Sequence, residues 1–337
     1  MVRQLIEETI HIIGAFEAAI RGSERAALVA AQRLATQGPV RVWSTVPPTG
    51  PLASLATVQG VRLEAIRPFA GAMPRGGRLI VWGTHYDIGV WMRAAAPRAV
   101  AIVCELIHHA ALYRAVLDVR AAGLAEPRVV YASSLLRDAA LLDGEAIFPP
   151  ADLAPMLALA RDREAERAFT VCRVSRDDPA KHHAGDPALY EALAAEGVRV
   201  RVLGGTCLAG TVAPSPLIEL MPEGSVAVAD LLSGADVFFY RTGGAGVSVD
   251  SAGLVVAEAM AAALPVVAGF PGGYTDLIED GVNGFIVDGD TNALAAIRRL
   301  AADPHLRLRL GMRARARVVD YFGADYARRF LRAAFGH

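Results

Sequence analysis

Two carboxylates eight residues apart, Asp250 and Glu258, flank a turn of small residues, Ser251, Ala252 and Gly253, that opens onto a run of Ala, Val, Leu and Met. Glu258 is the only charge in that run, and a lone buried carboxylate is costly unless it is hydrogen-bonded. The N–H groups that start a helix, with the positive end of its dipole, suit a phosphate, so Ser251 to Leu254 read as an anion site. One acid at the lip and one inside the helix suit two parts of a long polar ligand. The plainer alternative is that Asp250 caps the helix and Glu258 pairs with an arginine. Lys181 is the third candidate. It is the one lysine among 34 basic residues, which marks a place where a compact point charge fits and a planar guanidinium fork does not.

His85 follows an apolar strand at its C-terminal end, where open parallel sheets collect ligands; a turn histidine with an ordinary hydrogen bond is the alternative. His108 and His109 stand at a helix start. His182 and His183 form no metal motif, because no Cys, Asp or Glu stands at ligand spacing, and no metal is expected. Arg307, Arg309, Arg313, Arg315 and Arg317 fit the exposed face of one helix. The net charge of −1 draws no nucleic acid. Cys104, Cys172 and Cys207 are widely spaced and odd in number, which implies reduced thiols and a cytoplasmic setting. The first eight residues carry two acids and do not resemble a signal peptide. No uncharged stretch is long enough to span a membrane.

These residues need elements to hold them. Thr9 to Phe16 reads as a strand, Arg25 to Thr36 as a helix opened by Gly22-Ser23-Glu24, and Val40 to Ser44 as the next strand: a βαβ unit whose first turn faces a ligand. Strands follow at Leu63 to Ile66, Arg78 to Trp82, Ala99 to Cys104 and Arg128 to Tyr131. The proline-rich Phe148 to Asp152 and the charged Arg161 to Arg167 break the pattern. Strands resume at Phe169 to Arg173, Val198 to Leu203, Val237 to Tyr240 and Pro265 to Phe270. Between them lie helices Pro187 to Glu196, Val226 to Ser233 and Leu254 to Leu264, the last stopped by Pro265. Three more helices, Leu294 to Ala302, His305 to Val319 and Tyr326 to Phe335, end the chain. The alternation implies two doubly wound α/β domains, residues 1–165 and 166–320, with 321–337 as a C-terminal helix.

The acid pair and the Gly272-Gly273 turn, followed by Asp276, Ile278, Gly281, Asn283, Gly284 and Phe285, resemble the retaining GT-B glycosyltransferases of family 4, the group 1 type. So do Gly22 to Arg25, Arg173 to His182 and Ala235 to Tyr240, in the same order along the chain. The resemblance implies two Rossmann-like domains facing a central cleft, with the last helix crossing back to the N-terminal one. It implies transfer of a hexose-type sugar from a UDP- or GDP-sugar to a hydroxyl of a saccharide or glycolipid, by a metal-independent front-face mechanism, in the cytoplasm or at the inner face of the membrane. The family's motif implies that Glu258 holds the nucleotide ribose, that Asp250 and His85 lie by the donor sugar, and that Arg173 and Lys181 neutralise the diphosphate, with Arg176 as an alternative to Arg173. Ser251, Ala252, Gly253 and Leu254 complete the donor side; Gly22 and Ser23 belong to the acceptor side. The chain departs from the family at Asp250 and Asp276, where Glu is usual. Rival readings are a GT-B phosphorylase or epimerase, and a noncatalytic nucleotide-sugar-binding subunit.

Overall fold

The computed structural model describes residues 8–16, 22–49, 57–58, 61–84, 91–106, 108–159, 168–243 and 249–336. They fall into two compact units, Met1–Ala151 with Ala324–His337, and Asp152–Gly323.

In the first unit eight strands order as β3-β4-β2-β1-β5-β6-β7-β8. They are β1 Ile10–Gly14, β2 Val40–Ser44, β3 Thr57–Val58, β4 Val61–Ala65, β5 Arg78–Trp82, β6 Ala99–Cys104, β7 Arg128–Tyr131 and β8 Gly144–Ala146. All pairings are parallel except β3 with β4. Strands covered on both faces are near-continuous apolar runs; β6 is apolar throughout, β1 is interrupted by His11 and β5 opens on Arg78, and at the centre Ile12 lies between Val42 and Ile80, all three fully buried. The helix Gly22–Leu34 buries its alanine-rich face. The last helix, Tyr326–Phe335, belongs to this unit, with Phe330 stacked on Trp82 at 5.8 Å and the Tyr326 hydroxyl donating to the Phe148 carbonyl at 3.2 Å.

The second unit is a six-stranded, wholly parallel sheet ordered β11-β10-β9-β12-β13-β14. Its strands are β9 Thr170–Val174, β10 Arg199–Leu203, β11 Ile218–Met221, β12 Val237–Tyr240, β13 Val266–Gly269 and β14 Gly284–Val287. In both sheets two adjacent strands, β1 and β5 or β9 and β12, send the chain to opposite sides, which opens a crevice at their C-terminal ends.

Two expectations need correction. The boundary falls at Ala151, not near 165: the short helix Ala154–Leu157 lies against the helix Leu254–Ala261, and Arg315 donates to the Leu157 carbonyl at 2.7 Å. Residues 160–167 lie outside the described ones. The helix read as Leu254 to Leu264 ends at Ala261, because Ala263 turns left-handed (φ 54°) and the Leu264 N–H closes back on the Ala259 carbonyl at 3.1 Å. The helix Pro304–Tyr321 crosses that turn at Gly311, where an added Cβ would stand 2.1 Å from the Ala263 oxygen. Gly311→Ala should therefore force the backbones apart at a cost of about 1–3 kcal/mol. Urea unfolding followed by circular dichroism measures it, and an unchanged midpoint would argue against so close a crossing.

Candidate functional site

The crevice of the second unit gathers most of the donor-side candidates. The chain leaves β9 through Ser175 and returns in a 3-10 turn, Pro179–Lys181, because Asp178 accepts the Ala180 N–H at 3.0 Å and Pro179 presets the first turn. That turn delivers the Lys181 ammonium to 3.1 Å from Asp250 Oδ2. The Tyr240 hydroxyl, at the end of β12, donates to the same oxygen at 2.7 Å. Asp250 Oδ1 accepts the N–H groups of Ala252 and Gly253 at 3.3 and 3.1 Å, and the Asp250 N–H donates to Thr242 Oγ1 at 2.8 Å. Both oxygens of the carboxylate are thus engaged. Burial alone would raise the Asp250 carboxyl, but the Lys181 charge, the Tyr240 hydroxyl and the backbone donors outweigh it and hold the group below the ordinary carboxylate range. Burial and the Asp250 charge together keep Tyr240 protonated, so it remains a donor.

The helix Leu254–Ala261 starts directly after this turn, with no side chain capping it. Gly253 is left-handed (φ 68°), and an added Cβ would stand 2.7 Å from the ring of the fully buried Tyr274. Glu258 and Ser251 are buried beside it.

The structure changes the expected role of three residues. Arg173 does not present its guanidinium to a ligand: it is 1% exposed, stacks over the Tyr240 ring at 4.8 Å, ion-pairs with Asp186 at 3.4 Å and donates to the Lys181 carbonyl. Its position in the fully buried β9 turns it beneath the crevice, where it holds the loop that carries Lys181. Two of the four N–H groups expected to be open to an anion, those of Ala252 and Gly253, are already satisfied by Asp250, so the carboxylate braces the turn before the helix without capping the helix itself. Arg176 stands on the exposed loop, 3.8 Å from Asp178. His85 lies outside the described residues.

Sequence reasoning missed a second layer. Asp186, the first residue of the helix Asp186–Ala195, is wholly buried and accepts from Arg241 Nε at 2.6 Å and from the His183 N–H at 3.1 Å. Arg241 also reaches Asp290 at 2.6 Å. In sequence Asp186 looks like any acid in a first helical turn, so nothing distinguishes it.

In the first unit Gly22 and Ser23 open their helix, and the Ser23 hydroxyl donates to Glu105. Glu105 follows the last residue of β6 and is partly exposed. Burial of its carboxyl pushes its pKa up to about 7, against the lowering contacts of Ser23 and Trp82. The argument that singled out His85, a polar residue just past an apolar strand, applies equally to Glu105. Among the described residues no three His, Cys, Asp or Glu side chains gather as a metal site would need, and no helix is long and apolar enough to cross a membrane.

Residues 219–317 match the family model described as glycosyl transferases group 1. Over 90 residues the chain is 42% identical to a GDP-mannose-dependent alpha-(1-6)-phosphatidylinositol monomannoside mannosyltransferase of Mycolicibacterium smegmatis, covering 26% of this chain and 24% of that one. Over 202 residues it is 35% identical to a D-inositol 3-phosphate glycosyltransferase of Salinispora arenicola, covering 52% and 43%. The matches span 24% and 43% of the length of these curated relatives. Among solved structures, it is similar to Anabaena Alr3699/HepE in complex with UDP, with a TM-score of 0.69 at 15% identity over 96% of this chain and 98% of that one. It is also similar to WaaG, a glycosyltransferase involved in lipopolysaccharide biosynthesis, with a TM-score of 0.64 at 13% identity over 97% and 100%. The fold is that of the GT-B glycosyltransferases, two units each built on a Rossmann-like parallel sheet.

Asp250 and Glu105, two of the carboxyls that lie off their usual range, should respond to pH in opposite senses. Asp250, held low, stabilises the fold above the unfolded value of roughly 3.9 and loses that contribution as pH falls through its lower folded value. Glu105, held high, contributes below roughly 4.3 and loses its contribution as pH rises through about 7. Melting temperatures across pH should therefore show Asp250→Asn most damaging at neutrality and less so in acid, while Glu105→Gln gains on the wild type from pH 5 to pH 8. Parallel curves for all three proteins would contradict the assignment.

Proposed function

We propose that this chain, whose residues 219–317 match the group 1 glycosyl transferase model, moves a hexose-type sugar from a nucleoside diphosphate donor to a hydroxyl of a polyol, saccharide or glycolipid acceptor, with retention and without a metal. The observation that carries this reading is the Lys181 ammonium braced on Asp250 beside the uncapped start of the helix Leu254–Ala261. An ammonium has three donors. It can keep Asp250 and still reach a diphosphate oxygen, which the N–H groups of the first helical turn approach from the other side.

In the proposed step the bond between the sugar's anomeric carbon and the diphosphate oxygen breaks as the acceptor oxygen bonds to the same face of that carbon. The acceptor proton passes to the departing diphosphate. Charge grows on that oxygen as the bond breaks, and fixed cations aimed there favour the transition state over the bound substrate. Asp250 acts through Lys181 and the turn. Arg173 and Asp186 hold the Lys181 loop from below. Glu258, buried within the helix, is assigned to the nucleotide ribose. The relatives' printed activities, on GDP-mannose with an inositol lipid and on an inositol phosphate, support a cyclitol or its lipid as one acceptor class. Work at the cytoplasmic face of the membrane suits such acceptors.

A thermal-shift screen of UDP-, GDP- and ADP-sugars identifies the base through ligand-linked stabilisation, and proton NMR of the product's anomeric centre tests retention. Activity should persist in EDTA; complete loss that manganese or magnesium restores would overturn the metal-free mechanism. Lys181→Ala should lower kcat on the order of a hundredfold, with Lys181→Arg recovering only part of it because the guanidinium is bulkier and planar. Glu258→Ala should instead raise the donor KM, weakening nucleotide binding by roughly 1.5–3 kcal/mol. A Lys181→Ala enzyme with wild-type kcat would remove the foundation of the proposal.

A further inference from the structure

The five arginines of the helix Pro304–Tyr321 do not share one exposed face, as their spacing suggested. Arg307 donates to the Leu300 and Ala301 carbonyls at 2.6 and 3.0 Å, Arg315 to the Leu157 carbonyl at 2.7 Å, and Arg317 to the Asp276 carbonyl at 3.4 Å. Arg309 and Arg313, one turn apart, stand exposed. Beside them runs an apolar row that the packing of the helix does not require: Leu308, Met312 and Val319 are 52%, 61% and 47% exposed. At about 100° per residue these three fall within about 40° of one another. They lie clear of Leu306, Leu310, Ala314 and Val318, whose side chains are buried. A helix packed on one side needs one apolar stripe. This one has two, and among the described residues no other helix carries more than one exposed large apolar side chain.

We propose that this face is a docking surface for an anionic lipid bilayer, with Leu308, Met312 and Val319 entering the headgroup boundary and Arg309 and Arg313 meeting lipid phosphates. It rests on this helix alone and is independent of the chemistry proposed for the crevice. An apolar row bordered by arginines is the pattern of helices that lie in a membrane interface, where buried side chains and attraction to anionic lipid act together. Arginine suits the border, because its apolar stem can lie along hydrocarbon while its planar fork meets phosphate oxygens. Asp303 and Asp320 stand at the two ends of the helix, which leaves the middle of the face cationic. Charge disfavours a second copy, since two such helices laid antiparallel along the row would set their arginines side by side. Size disfavours a folded protein partner. A row three side chains long falls well short of the roughly 800 Å² per partner of a specific protein interface, whereas a bilayer imposes no shape to match.

The test uses the full chain in a flotation assay, with vesicles of phosphatidylglycerol and phosphatidylcholine in equal parts and vesicles of phosphatidylcholine alone. Wild type should float with the anionic vesicles and not with the neutral ones, and raising salt to roughly 0.5 M should weaken the binding as charges are screened. Arg309→Gln with Arg313→Gln should lower the partition coefficient roughly tenfold or more. Leu308→Ser with Met312→Ser, which keeps both arginines, should lower it by a similar factor. Both double variants should keep the wild-type circular dichroism and melting temperature, because the changed side chains are exposed, and the wild-type turnover of a water-soluble acceptor. Vesicle binding through these residues by a chain without nucleotide-sugar turnover would overturn the transferase reading and leave the docking surface standing. Wild type that ignores anionic vesicles, or double variants that bind them as wild type does, overturns the docking surface. So does self-association in sedimentation velocity that the serine variant abolishes, which would assign the row to a second copy of the chain.

Discussion

The Asp186 carboxylate is the point from which the second unit's site hangs. It is wholly buried and touches two guanidinium groups, Arg241 at 2.6 Å and Arg173 at 3.4 Å. Charges taken out of water are tolerated only when paired and hydrogen-bonded, and removing one partner of such a pair typically costs about 3–5 kcal/mol. The start of the helix Asp186–Ala195 helps, since a carboxylate in a first turn meets the positive end of the dipole. From Asp186 the constraint runs outward: Arg173 is fixed, its far nitrogen holds the Lys181 carbonyl, and Lys181 reaches Asp250.

This layering explains how a mobile side chain becomes a placed charge. A lysine on a surface loop spreads its ammonium over many rotamers. Here the backbone beneath Lys181 is tied by Arg173, and its ammonium meets an acceptor that Tyr240 and two N–H groups hold in place. The arrangement also explains why the shorter acid suits this site. Asp250 caps the N–H groups two and three residues ahead of it, a reach typical of Asp and Asn side chains.

The first unit uses the same topology with different chemistry. Its crevice joins a hydroxyl to a buried carboxyl, where the second unit joins an ammonium to a carboxylate.

Much of this was legible in the chain itself. Apolar runs such as Ala99 to Cys104 and Val237 to Tyr240 can only be strands buried on both faces, and five of the strands, among them Arg78–Trp82, begin and end where the pattern places them. Lys181 and the acid pair stood out because each breaks the composition around it. The weak edge strands β8 and β11 did not, since an edge strand lacks a continuous apolar run. Nor did the sequence show that Arg173 turns inward while Lys181 turns toward the crevice, because both are cations near one strand end. Only the tertiary structure decided that: the register of β9 beside β12 and the buried Asp186 determine which cation is spent inside the protein, and pairing across 69 residues of chain leaves no local trace between Lys181 and Asp250.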